Sequence, residues 1–288
     1  MKTAIMTDTN SGISSAEAEN LGAFVQPMPV ILDGKNYLEG IDVTHADVFQ
    51  AMHEKKEVST SQPSVGLIME QWDKILSMGY DEIVYMPMSS GLSGSCASAL
   101  AIAEDYGGKV QIADLHRISV TLREAVTDGL KMSEQGLSAL EIKKNLENNA
   151  FNSVIYLAVD TLEYLKKSGR VTPTAATIAM VLNIKPVLVT LGGKFDTFAK
   201  VRGMKNARQK IIEAIQVDLQ ERFKDVPKEK LHVATAGSFE TEAEAKDWQN
   251  QVQTAFPDFE VCYNALSCSV ACHTGIGAAG LAITVIDR

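Results

Sequence analysis

Apolar positions in the first half of the chain follow two alternating rhythms. Short apolar runs at Ala4-Ile5-Met6, Ile83 to Met88 and Val110 to Ala113 have the length of buried strands. Helical patterns separate them: Ser15 to Leu21, a stretch beginning at Ser64, Cys96 to about Tyr106, and about Val120 to Gln135. In the Ser64 stretch, Val65, Ile68, Trp72, Ile75 and Leu76 recur three and four apart, so they share one helix face. Strand–helix alternation of this kind predicts a mostly parallel sheet with helices on both faces.

The second half changes rhythm. Val154 to Val159 reads as a strand, and Thr161 to Lys167 as a short helix stopped by Gly169. Lys185 to Val201 reads as a hairpin turning at Leu191-Gly192-Gly193. Ile211, Ile212, Ile215, Leu219 and Phe223 form the apolar stripe of a long helix. Leu231 to Ala236 and Phe259 to Tyr263 are predicted strands around a helix from Glu242 to Ala255, and Leu281 to Ile286 closes the chain as a strand. The expected fold is α/β plus α+β. Residues 1–150 form an N-terminal three-layer α/β/α domain with a mostly parallel sheet, and residues 151–288 a C-terminal two-layer α+β domain with a mixed sheet. No low-complexity linker separates them, so the two share an interface, and a ligand is expected between them.

Composition narrows the function. The chain is 45% hydrophobic and 22% charged, as in ordinary soluble globular proteins. Its net charge of −9 argues against a nucleic-acid partner, which needs a basic patch. Cys96, Cys262, Cys268 and Cys272 contain no C-x-x-C pair and read as free thiols. Cys268, Cys272 and His273 fit no usual zinc spacing, so neither a metal nor a cofactor is expected. The N-terminus has no signal-peptide character. The best membrane candidate, Thr177 to Leu191, is broken by Lys185-Pro186, so no integral membrane segment is expected and the chain reads as cytoplasmic.

The segment Ser89-Ser90-Gly91-Leu92-Ser93-Gly94-Ser95 carries the most chemistry. An apolar strand opens there into hydroxyls and glycines before a helix, where free N–H groups face an anion. That favours a carboxylate or phosphate site. The same residues nearly spell a nucleophile elbow, since Gly91-x-Ser93-x-Ser95 departs from G-x-S-x-G only at its last position. Thr60-Ser61-Gln62-Pro63-Ser64 reads as a helix start with Pro63 in the first turn, which also suits an anion. His273 precedes three glycines in a chain with 5 histidines, which points to a cleft-lining role. Gly275-x-Gly277-x-x-Gly280 leads into a strand, so it is not a dinucleotide fingerprint. Arg170 and Arg202 stand beside glycines, where an arginine is either solvated or reaches a carboxylate bidentately. The 11 methionines, among them Met86, Met88, Met180 and Met204, fit ordinary core filling and also an adaptable apolar cavity.

The ordered set of motifs resembles a known family. Thr7-Asp8-Thr9, Thr60-Ser61-Gln62-Pro63-Ser64, Ser89-Ser90-Gly91-Leu92-Ser93-Gly94, Gly169-Arg170, Lys185-Pro186-Val187-Leu188 and His273-Thr274-Gly275 together resemble the DegV family across essentially the whole chain. These are fatty-acid-binding proteins that serve bacterial fatty acid kinase. The resemblance implies a long-chain fatty acid between the domains, tail buried and carboxylate near the surface. It implies that Thr60, Ser61, Ser93, the Gly94 backbone and His273 hold the carboxylate, with Arg170, Arg202 and Thr274 supporting the head site. It implies no catalytic residue in this chain. A separate ATP-binding kinase subunit would phosphorylate the carboxylate, and the acyl phosphate would feed phospholipid synthesis. Ser168, Gly203 and Ile276 depart from the commonest family pattern. The alternative is a serine hydrolase acting on acyl esters, with Ser93 as nucleophile, His273 as base and an aspartate such as Asp196 between them in chain order. Ser95 in place of glycine and the lack of an HGGG-type segment weigh against it.

Overall fold

The computed structural model describes residues 2–177 and 183–288; Met180 and part of the Thr177 to Leu191 stretch lie outside the described residues. The first half contains β1 (Thr3–Asp8), α1 (Ser15–Leu21), β2 (Phe24–Gln26), β3 (Pro29–Leu32) and β4 (Lys35–Leu38). It continues with α2 (His45–His53), β5 (Val58–Thr60), α3 (Val65–Ser77) and β6 (Glu82–Met86). It ends with α4 (Ser95–Ala103), β7 (Val110–Ile112), α5 (Ser119–Glu134) and α6 (Ala139–Asn148). The second half begins with β8 (Ser153–Ala158), α7 (Glu163–Ser168), α8 (Pro173–Ala176), β9 (Ile184–Thr190) and β10 (Asp196–Arg202). It closes with α9 (Met204–Gln220), β11 (Leu231–Gly237), α10 (Glu242–Ala255), β12 (Cys262–Ala265), α11 (Cys268–Thr274) and β13 (Ala279–Val285).

The molecule is a two-domain α/β fold. In the first domain β2-β1-β6-β7 form a parallel sheet, with Thr7 beside Met86 at its carboxyl edge. Side chains alternate across it. Ala4, Met6, Ile83 and Tyr85 meet Ile68, Trp72 and Ile75 of α3 on one face. Ile5, Val84 and Met86 meet Leu122, Val126 and Ile142 of α5 and α6 on the other. The helix starts are set by hydroxyl caps: Ser14, Thr44, Ser64 and Ser138 each accept a first-turn N–H. Pro63 stands one residue before the Ser64 cap, outside the first turn where the sequence placed it.

In the second domain the order β10-β9-β8-β13-β11-β12 is antiparallel except for the parallel β11–β12 pair. One face packs on α9 and α10 through Val154, Leu281, Ile211 and Trp248. The other face joins the core of the first domain, placing Leu157, Leu188 and Ala282 in the same apolar cluster as Leu122 and Leu146.

Three features differ from the sequence expectations. Residues 24–60 contain a separate antiparallel sheet, β4-β3-β5, and α2. The His273 segment belongs to the helix α11, started by Ser267, which accepts the Val270 N–H at 3.2 Å. The strand expected over Phe259 to Tyr263 runs from Cys262 to Ala265. Helix α11 packs into the small sheet: Cys268, Ala271 and Cys272 share a core with Val30, Val48, Phe49 and Val58.

Candidate functional site

A cavity lies at the domain junction, beyond the carboxyl ends of β1 and β6. Its outer part spans about 530 Å³ of space, part of it open to solvent. Thr60, Ser61, Gln62 and Ser93 line it from the first domain, and Arg170, Ser269, His273 and Thr274 from the second. An inner part of about 400 Å³ is walled by Ile155, Leu157, Leu266, Leu281 and neighbouring residues. The two parts share Ile118, Phe195, Val270 and Thr274, so the polar mouth continues into an apolar chamber.

Each side chain at the mouth is placed by an element end. Thr60 closes β5 and His273 sits in the last turn of α11; Thr60 Oγ1 and His273 Nε2 are 2.8 Å apart. Burial, reinforced by the positive charge of Arg170, pushes the His273 pKa down to about 4, so the ring is neutral near pH 7. Its Nδ1 is buried without a hydrogen-bond partner. Ser93 precedes α4, whose first turn has Gly94 at the cap and no side-chain cap. Ser93 Oγ accepts the Ser95 N–H at 3.2 Å and lies 2.9 Å from Ser95 Oγ. Gly94 does not line the cavity directly; a Cβ on it would stand 2.9 Å from Gln62 Oε1, against the mouth. Arg170 donates from Nε to the Leu92 carbonyl at 3.3 Å and from Nη1 to the Ser168 carbonyl. Thr274 donates to the Val270 carbonyl at 3.3 Å.

The cavity thus brings together Thr60, Ser61, Ser93, Arg170, His273 and Thr274. It does not bring Arg202. That residue ends β10, exposed, roughly 20 Å of extended strand beyond the cavity-lining Phe195. Ser89, from the same loop as Ser93, is fully buried and donates its hydroxyl to the Gly192 carbonyl at the tip of the β9–β10 hairpin. It ties the two domains together and does not face the mouth. The hairpin tip sits so close that a Cβ on Gly91 would lie 2.8 Å from both Gly192 O and Gly193 Cα.

Sequence reasoning missed the polar layer beneath the mouth. Glu39, 6% exposed, accepts hydrogen bonds from Thr9 Oγ1 at 2.8 Å, from the Cys268 N–H, and from Ser269 Oγ at 2.9 Å. A carboxylate there satisfies the first-turn N–H groups of α11. Ser269 Oγ also lies 2.8 Å from Asn10 Oδ1, and both residues line the cavity. Asp8 accepts the Met88 N–H at 2.9 Å and both the N–H and the amide of Asn10 at 3.0 Å. Its complete burial outweighs those bonds and raises its pKa to about 6. Asn10 lies beside the flagged Thr7-Asp8-Thr9 motif, whereas Glu39 and Ser269 stand in no recognisable local pattern.

The hydrolase constellation is not assembled. His273 Nε2 is engaged by Thr60, and Asp196 accepts from Thr172 Oγ1 and the Thr197 N–H, both at 2.8 Å. Ser93 is absent from the positive-φ residues, so it lacks the strained backbone of a nucleophile elbow. Among the described residues no group of three or more His, Cys, Asp or Glu is placed to hold a metal ion. Among them, too, no helix is long and apolar enough to cross a membrane.

Fold and cavity define a class: two-domain α/β proteins with an interdomain cavity, hydroxyl-lined at the mouth and apolar within. The chain belongs to the DegV family, described as uncharacterised proteins, which matches residues 2–285. A DegV domain-containing protein of Staphylococcus aureus strain COL is 30% identical over 285 residues, 98% of this chain and 96% of that protein. Among solved structures, that of a DegV family protein from Thermus thermophilus, described by its fatty acid binding, superposes with a TM-score of 0.88 at 26% identity. The match covers 99% of this chain and 100% of that one. A fatty acid binding DegV family protein from Streptococcus agalactiae gives 0.85 at 25% identity, covering 100% of both chains.

Proposed function

We propose that this chain binds one long-chain fatty acid, with the carboxylate at the cavity mouth and the tail in the inner chamber. The observation that carries this reading is the continuity of a hydroxyl-lined mouth with an apolar chamber through Ile118, Phe195, Val270 and Thr274. The hydroxyls of Thr60, Ser61 and Ser93, the Gly94 backbone and neutral His273 hold the carboxylate. Neutral donors keep it ionised because hydrogen bonds to the charged form favour that form. The first turn of α4, without a side-chain cap, adds its partial positive charge, and Arg170 adds a full one. Thr274 supports the head site where mouth and chamber meet. The tail supplies most of the affinity. Each buried methylene contributes about 0.8 kcal/mol, so a long acyl chain yields on the order of 10 kcal/mol before ordering costs.

The chain has no catalytic residue of its own in this reading. It presents the carboxylate to a separate ATP-dependent kinase subunit, and the resulting acyl phosphate enters phospholipid synthesis. The family resemblance supports that step, and the position of the polar groups at the mouth is compatible with it. Native mass spectrometry of gently purified protein tests the binding: an adduct of acyl mass is expected. Persistent absence of lipid, with no uptake of added palmitate or oleate, would sink the reading.

A further inference from the structure

We infer that the inner chamber recognises an oxygen function on the ligand's tail through the Ser119 hydroxyl at the start of α5, an inference that rests on the fatty-acid reading above. Ser119 lines the chamber and is 6% exposed, yet its Oγ has no hydrogen-bond partner. The other hydroxyl of that wall, on Thr274, is engaged by the Val270 carbonyl. Leaving a buried hydroxyl unpaired is unfavourable, and such groups call for a physical account. Ser119 also holds φ at 54°, a left-handed conformation that non-glycine residues seldom adopt and that clusters at ligand-contacting positions.

The helix behind it points the same way. α5 runs for 16 residues, has no side-chain cap at Ile118, and begins at the chamber wall with Ile118, Ser119 and Val120. A helix start favours the negative end of a dipole, so an acceptor oxygen is stabilised there. The rest of the wall, including Ile155, Leu157 and Leu281, offers only hydrocarbon. A saturated tail fills this space and leaves Ser119 unpaired. A tail bearing a hydroxyl or carbonyl oxygen at the matching carbon fills it and completes the hydrogen bond. The ligand class that uses every group in the chamber is therefore a long-chain hydroxy or oxo fatty acid.

The test is a titration of delipidated protein with stearate and with monohydroxystearates that differ in hydroxyl position. One isomer is expected to bind about three- to tenfold more tightly than stearate, the range set by a single hydrogen bond. Ser119→Ala should abolish that preference, so that stearate and the favoured isomer bind this variant alike. Ser119→Gly, which suits a positive φ, gives the same readout in a chain relieved of strain. Stearate binding with no isomer preferred in the wild type, or a preference that survives in both variants, overturns this inference alone. Failure of stearate and every isomer to bind overturns the fatty-acid reading, and this inference with it.

Discussion

Gly91→Ala tests how the two domains are locked. The added Cβ would stand 2.8 Å from the Gly192 carbonyl oxygen and 2.8 Å from Gly193 Cα. Both are backbone atoms, so no side-chain rotation relieves the overlap. The hairpin tip must retreat, and the buried bond from Ser89 Oγ to Gly192 O stretches with it. Overpacking of this kind costs about 1–3 kcal/mol, and an unmade buried hydrogen bond a further ~1–3 kcal/mol. The two losses share one displacement, so the expected destabilisation is about 2–4 kcal/mol. For a chain of this size that lowers Tm by roughly 4–10 °C. Gly193→Ala is the control, because nothing lies within 4 Å of its Cβ. Calorimetric melts of both delipidated variants decide the matter. The tip also positions Phe195, a wall of both cavity parts, so a bound fatty acid should dissociate faster from the Gly91 variant. A Gly91→Ala protein that melts with the wild type and releases ligand at the same rate refutes the reasoning.

Ser93→Ala should weaken head-group fixation by roughly 1–3 kcal/mol, because a hydrogen bond to a charged group is lost. Unchanged acyl-phosphate formation with the proposed kinase subunit would argue against Ser93 as a carboxylate ligand. His273→Ala should lower turnover by the proposed kinase subunit far more than fatty-acid affinity, since a ~1 Å misplacement of the reacting group costs about 100-fold. The wild-type protein alone should cleave no p-nitrophenyl acyl ester; partner-free cleavage that depends on His273 would restore the hydrolase. A pH effect is expected at His232, whose Nδ1 lies 3.1 Å from Glu124 Oε1. Burial opposes its charge, but the neighbouring Cys262 and the Glu124 carboxylate outweigh this and raise its pKa from 6.5 to about 9. A raised histidine stabilises fully below pH 6.5 and loses that contribution as pH climbs through about 9. Urea denaturation across that window should show wild type losing on the order of 1–3 kcal/mol more than His232→Gln, and equal losses would discard the pair.

What was legible in the sequence was what repeats. The parallel sheet followed from apolar runs and from the Ile68–Trp72–Ile75 stripe, because buried strands and long amphipathic helices impose their periods on many residues. Gly169 as a helix stop was legible for a local reason and adopts φ 72° in the structure. The small sheet was not legible. Its strands are three or four residues long, too short to establish alternation, and β5 joins from 26 residues further on, although Asp33-Gly34 between β3 and β4 is a hairpin-turn pair that a closer reading could have found. α11 was hidden because the glycines after His273 dominate the local pattern, whereas its start is fixed by Ser267 and by Glu39 from the other domain. Thr60, Ser93 and His273 were named through the ordered motifs; no spacing rule brings residues 60 and 273 to 2.8 Å. Arg202 was grouped with Arg170 on a shared glycine neighbour, and a strand that runs away from the cavity separates them.

The packing of α11 into the small sheet sets an order for making the protein. Val30, Val48, Phe49 and Val58 belong to the first domain, yet their core is completed by Cys268, Ala271 and Cys272. A ribosome delivers those three residues roughly 200 positions after β5, on the order of 10–40 s later at ~5–20 residues per second. Through that interval the small sheet has an uncovered apolar side, and Thr60 lacks the imidazole it meets in the finished fold. The mouth of the cavity is therefore among the last parts of the chain to form. A nascent chain cut short before Cys268 carries the whole of the parallel sheet and none of the completed site.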